Sequence, residues 1–385
     1  MGSITCVGVG TEALWNSTLS GKSGIERGIG RIDNDIVLKL QNSISLKTIP
    51  SRAVVLALTS IKEAMLQAGW NGLDDDDGLI IATTTGQIGV WETKLTDFIQ
   101  KKIEASEFQQ AWENQTLGSI TACLVKHLEF KGKTLLLSSA CSAATQALAL
   151  AKLWIDQGRV KRCLVGGVET LSELTLEGFK SLRLLSSEPA KPFDENRVGI
   201  NLSEGSAFLC LEKNAPVPLA DLSGFGMSSD VYHMTAPHPE GNGSFTSMQK
   251  ALTKAGLAPG DINWIHAHGT GSKANDQAEG IAIMRLFGIP EQNKNVPWVS
   301  STKGVHGHTL GASGAVEAVL CVKSIECQTV LPTLGLKKSD PSLLLRHPEA
   351  PVKCQVRHIL KNTLGFGGSN ASLIFSLPTE FRAPA

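Results

Sequence analysis

The pattern of apolar and polar residues alternates along the chain between the period of a helix and that of a buried strand. Residues 51–68 carry apolar side chains at helical spacing, whereas residues 78–82 form a short apolar run that is typical of a buried strand. By the same criteria we predict strands at residues 5–9, 78–82, 134–137, 162–165, 205–212, 219–225, 264–267, 298–301, 358–364 and 371–377. Helices are predicted at residues 51–68, 118–129, 142–157, 244–255, 274–286 and 309–326, and a surface loop at residues 38–50.

The order of these elements repeats once along the chain. Each half approximates βαβαβαββ, and the break between the halves falls near residues 213–218. Alternating strands and helices favour a mainly parallel, helix-covered α/β architecture. We therefore predict two halves, residues 1–214 and residues 215–385, which are alike in element order but not residue by residue.

Composition narrows the class of protein further. Hydrophobic residues make up 42% of the 385 residues, which is enough for a large core. The 36 basic and 36 acidic residues cancel, so we predict neither a nucleic-acid partner nor a membrane partner. No stretch approaches the ~18 apolar residues of a membrane span, and the first residues lack the features of a signal peptide. The eight cysteines include no Cys-x-x-Cys pair, which favours free thiols and a cytoplasmic location.

Cys141 lies where a predicted buried strand turns into a predicted helix, and small residues surround it over residues 138–144. The N-terminus of a helix carries partial positive charge, which favours a thiolate and predicts a lowered pKa for Cys141. The free N–H groups there can also stabilise an oxyanion. Cys141 is therefore a candidate nucleophile, although a cysteine without this context is usually a small core residue.

His268 lies at the carboxyl end of another predicted strand, before the turn Gly-Thr-Gly-Ser of residues 269–272. Ligands of α/β sheets gather at this edge, so His268 is either a functional residue or a structural histidine. His266 shares a strand face with it and raises the alternative of a metal site. No carboxylate or cysteine ligand stands at a suitable spacing, so we predict no bound metal.

Residues 300–317 concentrate ionisable side chains between a predicted strand and an apolar helix. They are Lys303, His306, His308 and Glu317. Burying several ionisable groups is costly without a function, so this segment indicates a functional site.

Two glycine-rich segments have less specific interpretations. Residues 364–370 place glycines where backbone N–H groups can approach a ligand, but the pattern alone is also typical of a hairpin turn. Residues 8–13 follow a predicted strand and match the fingerprint Gly-x-Gly-x-x-Ala of dinucleotide-binding proteins. We expect no crossover helix after them, and no strand ends in an acidic residue ~20 positions later. Both points argue against the alternative of an NAD-dependent oxidoreductase.

Together these segments resemble the β-ketoacyl-[acyl-carrier-protein] synthases, the condensing enzymes of the thiolase-like superfamily. The resemblance extends from Cys6 to Leu377, and its most specific parts are the motifs His-Gly-Thr-Gly and Gly-His-x-x-Gly-Ala with a cysteine upstream. Further similar segments are residues 191–199, 203–205 and 229–241. The resemblance implies a thiolase-like, five-layered α-β-α-β-α fold, which agrees with the repeated element order. It also implies a homodimer.

The resemblance assigns catalytic roles to five residues. The family's nucleophile falls on Cys141, and its two catalytic histidines fall on His268 and His308. Its supporting residues fall on Lys303 and Glu317, which would fix charge and orientation around the second histidine. Neutral imidazoles are expected, because they must donate a hydrogen bond without protonating a carbanion.

The resemblance also assigns residues that contact the substrate. The gate-like phenylalanine of the family falls on Phe366, whose N–H would complete an oxyanion hole with the N–H of the nucleophile. The pantetheine arm of the substrate would contact Thr270 and Ser272, and the glycine turn would approach it at Gly367 and Gly368.

The implied activity is that of an acyltransferase. An acyl group moves from acyl carrier protein to the cysteine, and decarboxylative Claisen condensation with malonyl carrier protein gives a 3-oxoacyl product of fatty acid, polyketide or polyene biosynthesis. The enzyme itself needs no cofactor, because phosphopantetheine arrives on the carrier. An alternative is the catalytic ketosynthase subunit of a specialised polyketide or aryl-polyene pathway, working with a chain-length partner.

Three positions depart from the family pattern. Ser272 stands where threonine is usual, Val198 where an aspartate usually follows an arginine, and Ser203 where glycine is usual. Val198 is expected to loosen a structural ion pair. Residues 30–51 are shorter than in the family and belong near the substrate entrance, so the length of the acyl chain stays open.

Overall fold

The structure is a computed structural model that describes residues 1–44 and 51–379, without the side chains of residues 113 and 114. Its strands are β1 Gly2–Thr5, β2 Gly8–Val9, β3 Ile29–Gly30, β4 Gly78–Ala82, β5 Lys133–Leu137, β6 Arg162–Glu169, β7 Leu202–Ser203, β8 Gly205–Glu212, β9 Asp221–Ser229, β10 Trp264–His266, β11 Trp298–Ser300, β12 Thr329–Val330, β13 Val352–Lys353, β14 His358–Gly365 and β15 Ser369–Ser376. Its helices are α1 Thr11–Ser20, α2 Asn34–Ser43, α3 Arg52–Ala68, α4 Ile88–Ile99, α5 Ala105–Gln110, α6 Gly118–His127, α7 Ala143–Asp156, α8 Glu173–Ser181, α9 Asn242–Ala255, α10 Lys273–Phe287, α11 Lys303–His306 and α12 Ser313–Cys327. Short 3-10 turns lie at Trp112–Gln115, Pro259–Asp261, Leu310–Ala312 and Phe366–Gly368.

Two mixed sheets have equivalent strand orders and strand directions, apart from the extra edge strand β2 in the first sheet. The first has the order β2-β1-β8-β6-β4-β5, and the second has the order β9-β15-β14-β10-β11. In the first sheet β8 pairs antiparallel with β1 and β6, while β4 pairs parallel with β6 and β5. In the second sheet β15 and β10 make the equivalent antiparallel and parallel pairs. Each half of the chain therefore contributes one βαβαβαββ unit, as the element order predicts.

Buried apolar clusters join these sheets and helices into five layers. Successive residues of β4 point to opposite faces of its sheet: Leu79 packs against α3 and α6 on the outer face, whereas Ile80 packs against α7 and α12 on the inner face. The inner cluster also includes Trp264 of the second sheet, whose outer face is covered by α9 and α10 through Ile265. The predicted α-β-α-β-α layering is confirmed.

The two central helices are rich in small residues and come very close together. Each residue of α12 from Ser313 to Ile325 is buried, as expected for a helix that is covered on all sides. A side chain at Gly314 would meet the backbone nitrogen of Thr145 of α7 at 2.3 Å, so only glycine fits there. This contact brings the starts of α7 and α12 together at one place between the sheets.

A few local predictions were wrong. Residues 5–9 are not one strand, because the chain turns after β1 and β2 pairs back antiparallel. Within residues 38–50, α2 continues to Ser43, and residues 45–50 lie outside the described residues. The segment 8–13 does continue into a helix, α1. Its strand is an antiparallel edge strand and not part of a parallel βαβ unit, so the dinucleotide interpretation gains no support.

The proposed division between residues 214 and 215 falls in the connection from β8 to β9. The two units share the apolar cluster around α7 and α12, so we propose two halves of one packed body rather than separate domains. Within the described part of the chain, no helix combines the length and the apolar character needed to cross a membrane.

Candidate active site

Cys141 ends the turn that connects β5 to α7, as predicted, and its side chain is 4% exposed. The preceding residue, Ala140, has a left-handed φ of 50°, which turns the chain sharply before the helix begins. The N–H groups of Cys141 and Phe366 both face the sulfur. Two backbone donors therefore converge on the position where a thioester carbonyl would meet the thiol.

Burial raises the pKa of Cys141 to about 11. The ammonium group of Lys303 and the N–H groups of Phe366 and Cys141 act in the opposite direction, but desolvation outweighs them. The prediction of a lowered pKa was wrong, because it weighed the helix N-terminus and not the depth of the thiol. The resting thiol is protonated at neutral pH and needs a base to become a nucleophile.

His308 supplies a base beside this thiol. Its Nε2 lies 3.0 Å from Sγ of Cys141, and its Nδ1 lies 2.8 Å from Oγ of Ser313 at the start of α12. Burial lowers the pKa of His308 to about 3, so the ring is neutral. Because a hydroxyl can accept or donate, Ser313 is compatible with both tautomers of the ring. His308 can thus accept the thiol proton at Nε2 or carry a proton there.

His268 follows β10, and its ring meets His308 edge to face with centroids 5.3 Å apart. Nζ of Lys303 lies 3.4 Å from its Nδ1 and donates to its carbonyl oxygen at 2.6 Å. An ammonium group can only donate, so Nδ1 accepts and the ring proton lies on Nε2. Burial holds the pKa of His268 well below its usual range. His268 is therefore a neutral hydrogen-bond donor.

Lys303 was predicted to orient His308, but the structure places it against His268. The reason is that Ser313 already occupies Nδ1 of His308. Lys303 also forms a short ion pair with Oε1 of Glu317, and both side chains are buried. The two residues belong to the same network as predicted, although they support the other histidine.

A second lysine, Lys361 of β14, completes this network. Its Nζ lies 3.0 Å from Oε2 of Glu317, and both side chains are fully buried. Although desolvation raises the pKa of Glu317, the ammonium groups of Lys303 and Lys361 outweigh it and hold the pKa well below its usual range. Lys361 was not predicted from the sequence, because a lysine within a predicted strand is usually taken to point to solvent.

Two buried carboxylates of α10 hold the turn after His268. Glu279 accepts from the N–H groups of His268 and Gly269 at 2.7 and 2.8 Å, and Asp276 accepts from the next two N–H groups at 3.0 and 3.2 Å. Neither acid was predicted from the sequence. Their spacing of three residues on the inner face of a predicted helix was the available signal.

The predicted pantetheine residues lie at the end of this turn. The hydroxyl oxygens of Thr270 and Ser272 are 3.0 Å apart, and Ser272 is the less buried of the two. The substitution of serine for threonine therefore keeps a hydroxyl at the same place.

The exposed Val198 does not loosen the ion pair of its neighbour. Arg197 is 3% exposed, whereas Val198 is 72% exposed and points away. The guanidinium group lies 2.7 Å from Asp340 and 3.7 Å from Asp276. The expected loosening is not observed, because Arg197 has carboxylate partners elsewhere in the chain.

Phe366 lies in the turn between β14 and β15 and stacks on Phe179 of α8, with ring centroids 5.5 Å apart and planes 16° apart. Gly367 and Gly368 have φ values of 79° and 78°, in the left-handed region that favours glycine. The N–H of Gly367 donates to the carbonyl oxygen of Met234 at 2.7 Å. Phe179 was missed, because nothing in its helical pattern separates it from a packing residue.

A metal ion fits the site less well than hydrogen-bonded substrate does. Among the described residues, Sγ of Cys141 and ring nitrogens of His268 and His308 lie within 4.8 Å of one another, a donor set that a soft metal accepts. However, Lys303 keeps a proton on Nε2 of His268, and its positive charge disfavours a cation nearby. His266, which suggested the metal, contacts Oγ1 of Thr302 at 3.0 Å instead. The absence of a metal remains a prediction.

Comparison with known proteins shows the family of the chain. The family models described as "Beta-ketoacyl synthase, N-terminal domain" and "Beta-ketoacyl synthase, C-terminal domain" match residues 1–216 and 219–337. The "Putative 3-oxoacyl-[acyl-carrier-protein] synthase, mitochondrial" of Schizosaccharomyces pombe is 31% identical, with 97% of each chain covered. "Nodulation protein E" of Rhizobium meliloti is 32% identical, again with 97% of each chain covered.

A solved structure extends the similarity to the fold. A chain of "Ketosynthase (ApeO) in Complex with its Chain Length Factor (ApeC) from Xenorhabdus doucetiae" matches with a TM-score of 0.84 and 30% identity, over 98% of this chain and 96% of that chain. The sequence motifs, the five-layered fold and these matches agree. The chain therefore belongs to the β-ketoacyl synthase family of thiolase-fold acyltransferases.

Proposed function

We propose that the protein is a β-ketoacyl-[acyl-carrier-protein] synthase that condenses an acyl group held on Cys141 with a malonyl group. The observation that carries this proposal is the distance of 3.0 Å between Nε2 of His308 and Sγ of Cys141, in a buried site that also contains His268. A thiol with a base and a second hydrogen-bond donor suits acyl transfer followed by enolate chemistry.

The first half-reaction forms an acyl-enzyme. The Cys141 sulfur attacks the thioester carbonyl of the acyl carrier, and its proton passes to Nε2 of His308 during the attack. The N–H groups of Cys141 and Phe366 stabilise the tetrahedral oxyanion. The carbon–sulfur bond to pantetheine breaks, and the departing thiolate takes the proton from His308. The products are acyl-Cys141 and the free thiol of the carrier.

The second half-reaction forms the carbon–carbon bond. Nε2–H of His268 and, after a change of tautomer, Nε2–H of His308 donate to the thioester carbonyl of the malonyl carrier. Loss of carbon dioxide leaves an enolate that these two donors stabilise. Its carbon attacks the acyl-Cys141 carbonyl, and collapse of the tetrahedral intermediate releases the 3-oxoacyl carrier and the Cys141 thiolate, which is then reprotonated.

The carrier supplies phosphopantetheine, and we propose that its arm lies against the hydroxyls of Thr270 and Ser272. These hydroxyls are adjacent and lie two to four residues beyond His268. A side chain at Gly367 would meet nothing within 4 Å, so the arm could approach the turn there, whereas Gly368 is buried against Asp230 and supports the turn. Phe366, stacked on Phe179, would have to move when a long acyl chain enters.

For the assembly we propose a homodimer through β5. This strand is the edge of the six-stranded sheet, and Lys133 and Thr134 at its start are exposed. An unpaired edge can continue its sheet with a second copy of the same strand. Light scattering on the purified protein should then give twice the 40.9 kDa mass of one chain. A monomer that pairs only with a different ketosynthase-like chain would instead support the alternative of a chain-length partner.

We also propose a cytoplasmic location for this enzyme. All eight cysteines are free thiols in the structure, which suits a reducing compartment.

Mass spectrometry of the protein after incubation with acyl carrier protein thioesters tests the central proposal. The acyl mass should appear on the peptide that contains Cys141. Cysteines such as Cys163 and Cys321, which are also buried, serve as internal controls and should stay unmodified. Acylation at another cysteine, or no adduct with any chain length, would contradict the proposal.

The pH dependence of malonyl decarboxylation tests the neutral histidines. Because burial lowers the pKa of His308 to about 3 and holds that of His268 well below its usual range, both rings stay neutral as the pH falls below 6.5. Burial raises the pKa of Glu279, which accepts from the N–H of His268, to about 7, so the test uses a Glu279→Gln variant. Its release of carbon dioxide from a malonyl-pantetheine substrate should change less than about twofold between pH 8 and pH 5.5. An imidazole with its ordinary pKa would lose about tenfold over that range, with a midpoint near 6.5.

A further inference from the structure

The steps of the proposed reaction do not use the buried lysine Lys361. Its Nζ lies 3.0 Å from Oγ1 of Thr145 on α7 and is hydrogen-bonded to Oγ1 of Thr363 on its own strand. Two residues of α12 also lie close to it: Oε2 of Glu317 is 3.0 Å from Nζ of Lys361, and the buried thiol of Cys321 lies nearby. Burial of an ammonium group is costly unless it is paired. The only carboxylate that it meets here among the described residues is one that already pairs with Lys303.

The network therefore contains two lysines and one carboxylate. Burial lowers the pKa of Lys361, and the charge of Glu317 opposes this shift; with both lysines protonated, the network carries one positive charge. Without Lys361, Lys303 and Glu317 would be a neutral pair. With it, Glu317 divides its charge between two lysines, one at each oxygen. The ammonium group of Lys303 lies 3.4 Å from Nδ1 of His268. Its positive charge also lowers the pKa of the Cys141 thiol, against the effect of burial.

A third buried lysine, Lys323, has more carboxylate partners than Lys361 has. Lys323 lies on α12 like Glu317, and its side chain is 7% exposed. It meets two carboxylates, Glu12 at 2.7 Å and Glu326 at 2.9 Å. Lys323 thus has an excess of acidic partners, as solvation of a buried cation requires. At Lys361 the ratio is reversed, which indicates a use for the excess positive charge.

We propose that Lys361 is a positioning residue that acts through Glu317 and keeps the network of Lys303, Glu317 and Lys361 one unit positive. The charge stabilises the Cys141 thiolate and the enolate, so the inference rests on the proposed function and adds to it a residue and a role. Thr145 and Thr363 hold the ammonium group at ion-pair distance from Oε2 of Glu317.

The rate of Cys141 alkylation by iodoacetamide at pH 8 tests this proposal through net charge. Lys361→Met leaves a neutral pair and should slow alkylation, whereas the double variant Lys361→Met/Glu317→Gln restores the one charge of Lys303. A pKa change of about one unit alters the thiolate fraction tenfold, partly offset by nucleophilicity. We therefore expect a roughly threefold to tenfold slower reaction in Lys361→Met and a double variant within about twofold of the unmodified protein.

Matched controls separate charge from structure. Lys323→Met removes a buried lysine from the same region and should leave the alkylation rate unchanged. Lys361→Gln keeps polar contact with the two threonines and should slow alkylation as Lys361→Met does, which keeps the test valid if the methionine variant does not fold. A folded Lys361→Gln protein with an unchanged rate, or a double variant as slow as Lys361→Met, overturns the proposal. If the unmodified protein takes no acyl group on Cys141, the proposed function fails instead.

Discussion

Replacement of Cys141 by alanine is expected to abolish condensation and to leave decarboxylation of the malonyl carrier measurable. The variant lacks the sulfur that accepts the acyl group, so formation of the 3-oxoacyl product should fall at least ~10⁴-fold, or about 5.5 kcal/mol of transition-state free energy. The histidines that polarise the malonyl thioester remain, because neither needs the thiol for its position: Lys303 holds His268 and Ser313 holds His308. Separate assays of 3-oxoacyl product and of released carbon dioxide measure the two steps.

A cysteine elsewhere in the core provides the control for this experiment. Cys163 of β6 is also fully buried, and its replacement by alanine should affect packing but neither assay by more than about twofold. If Cys141→Ala retained condensation, another nucleophile would have to be sought. If both activities disappeared together in a folded variant, the separate role of the histidines would be wrong.

Replacement of His268 and of His308 by alanine is expected to give different losses. Either change removes one of two donors to the enolate and should reduce decarboxylation ~10²- to 10³-fold, or about 3–4 kcal/mol. Only His308 contacts the thiol, at 3.0 Å. Its removal should therefore also slow acylation of Cys141 by about 10²-fold, whereas His268→Ala should acylate at nearly the normal rate. Single-turnover acylation followed by mass spectrometry, together with the carbon dioxide assay, separates the two steps.

His266→Gln is the matched control, because His266 lies two residues before His268 on the same segment and contacts Thr302 rather than the thiol. Its losses should be small in both assays. Equal loss of acylation in the His268 and His308 variants would contradict the roles that their different neighbours suggest.

Local sequence determined the elements and singled out Cys141 as the candidate nucleophile. Periodicity alone predicted a helix over residues 51–68. The observed helix is α3, and the side chain of Ser51 caps its start by accepting a hydrogen bond from the N–H of Val54. It also predicted β4 and β8 with their observed bounds. These features depend on a few neighbouring residues, as do capping and alternation. The placement of Cys141 at a strand-to-helix turn has the same local origin.

The resemblance to a known family selected His268, His308, Lys303 and Glu317, but it did not say which of them touch. The sequence predicted that Lys303 supports the second histidine, and the structure places it at the first. Which partner a side chain finds depends on how segments far apart in the chain pack. The residues next to Lys303 in its motif do not indicate which histidine it contacts.

Only the tertiary structure decided the electrostatics of the site. The pKa of Cys141 is raised because the turn lies deep between the two sheets, where desolvation exceeds the effect of the helix N-terminus. Lys361 reaches Glu317 because β14 packs beside the two central helices. The same packing joins Lys361 to Thr145 of α7, 216 positions away in the chain. Burial and charge pairing arise from contacts over such separations, whereas periodicity and turn chemistry are local, so the sequence determined the elements and packing decided how their charges act on Cys141.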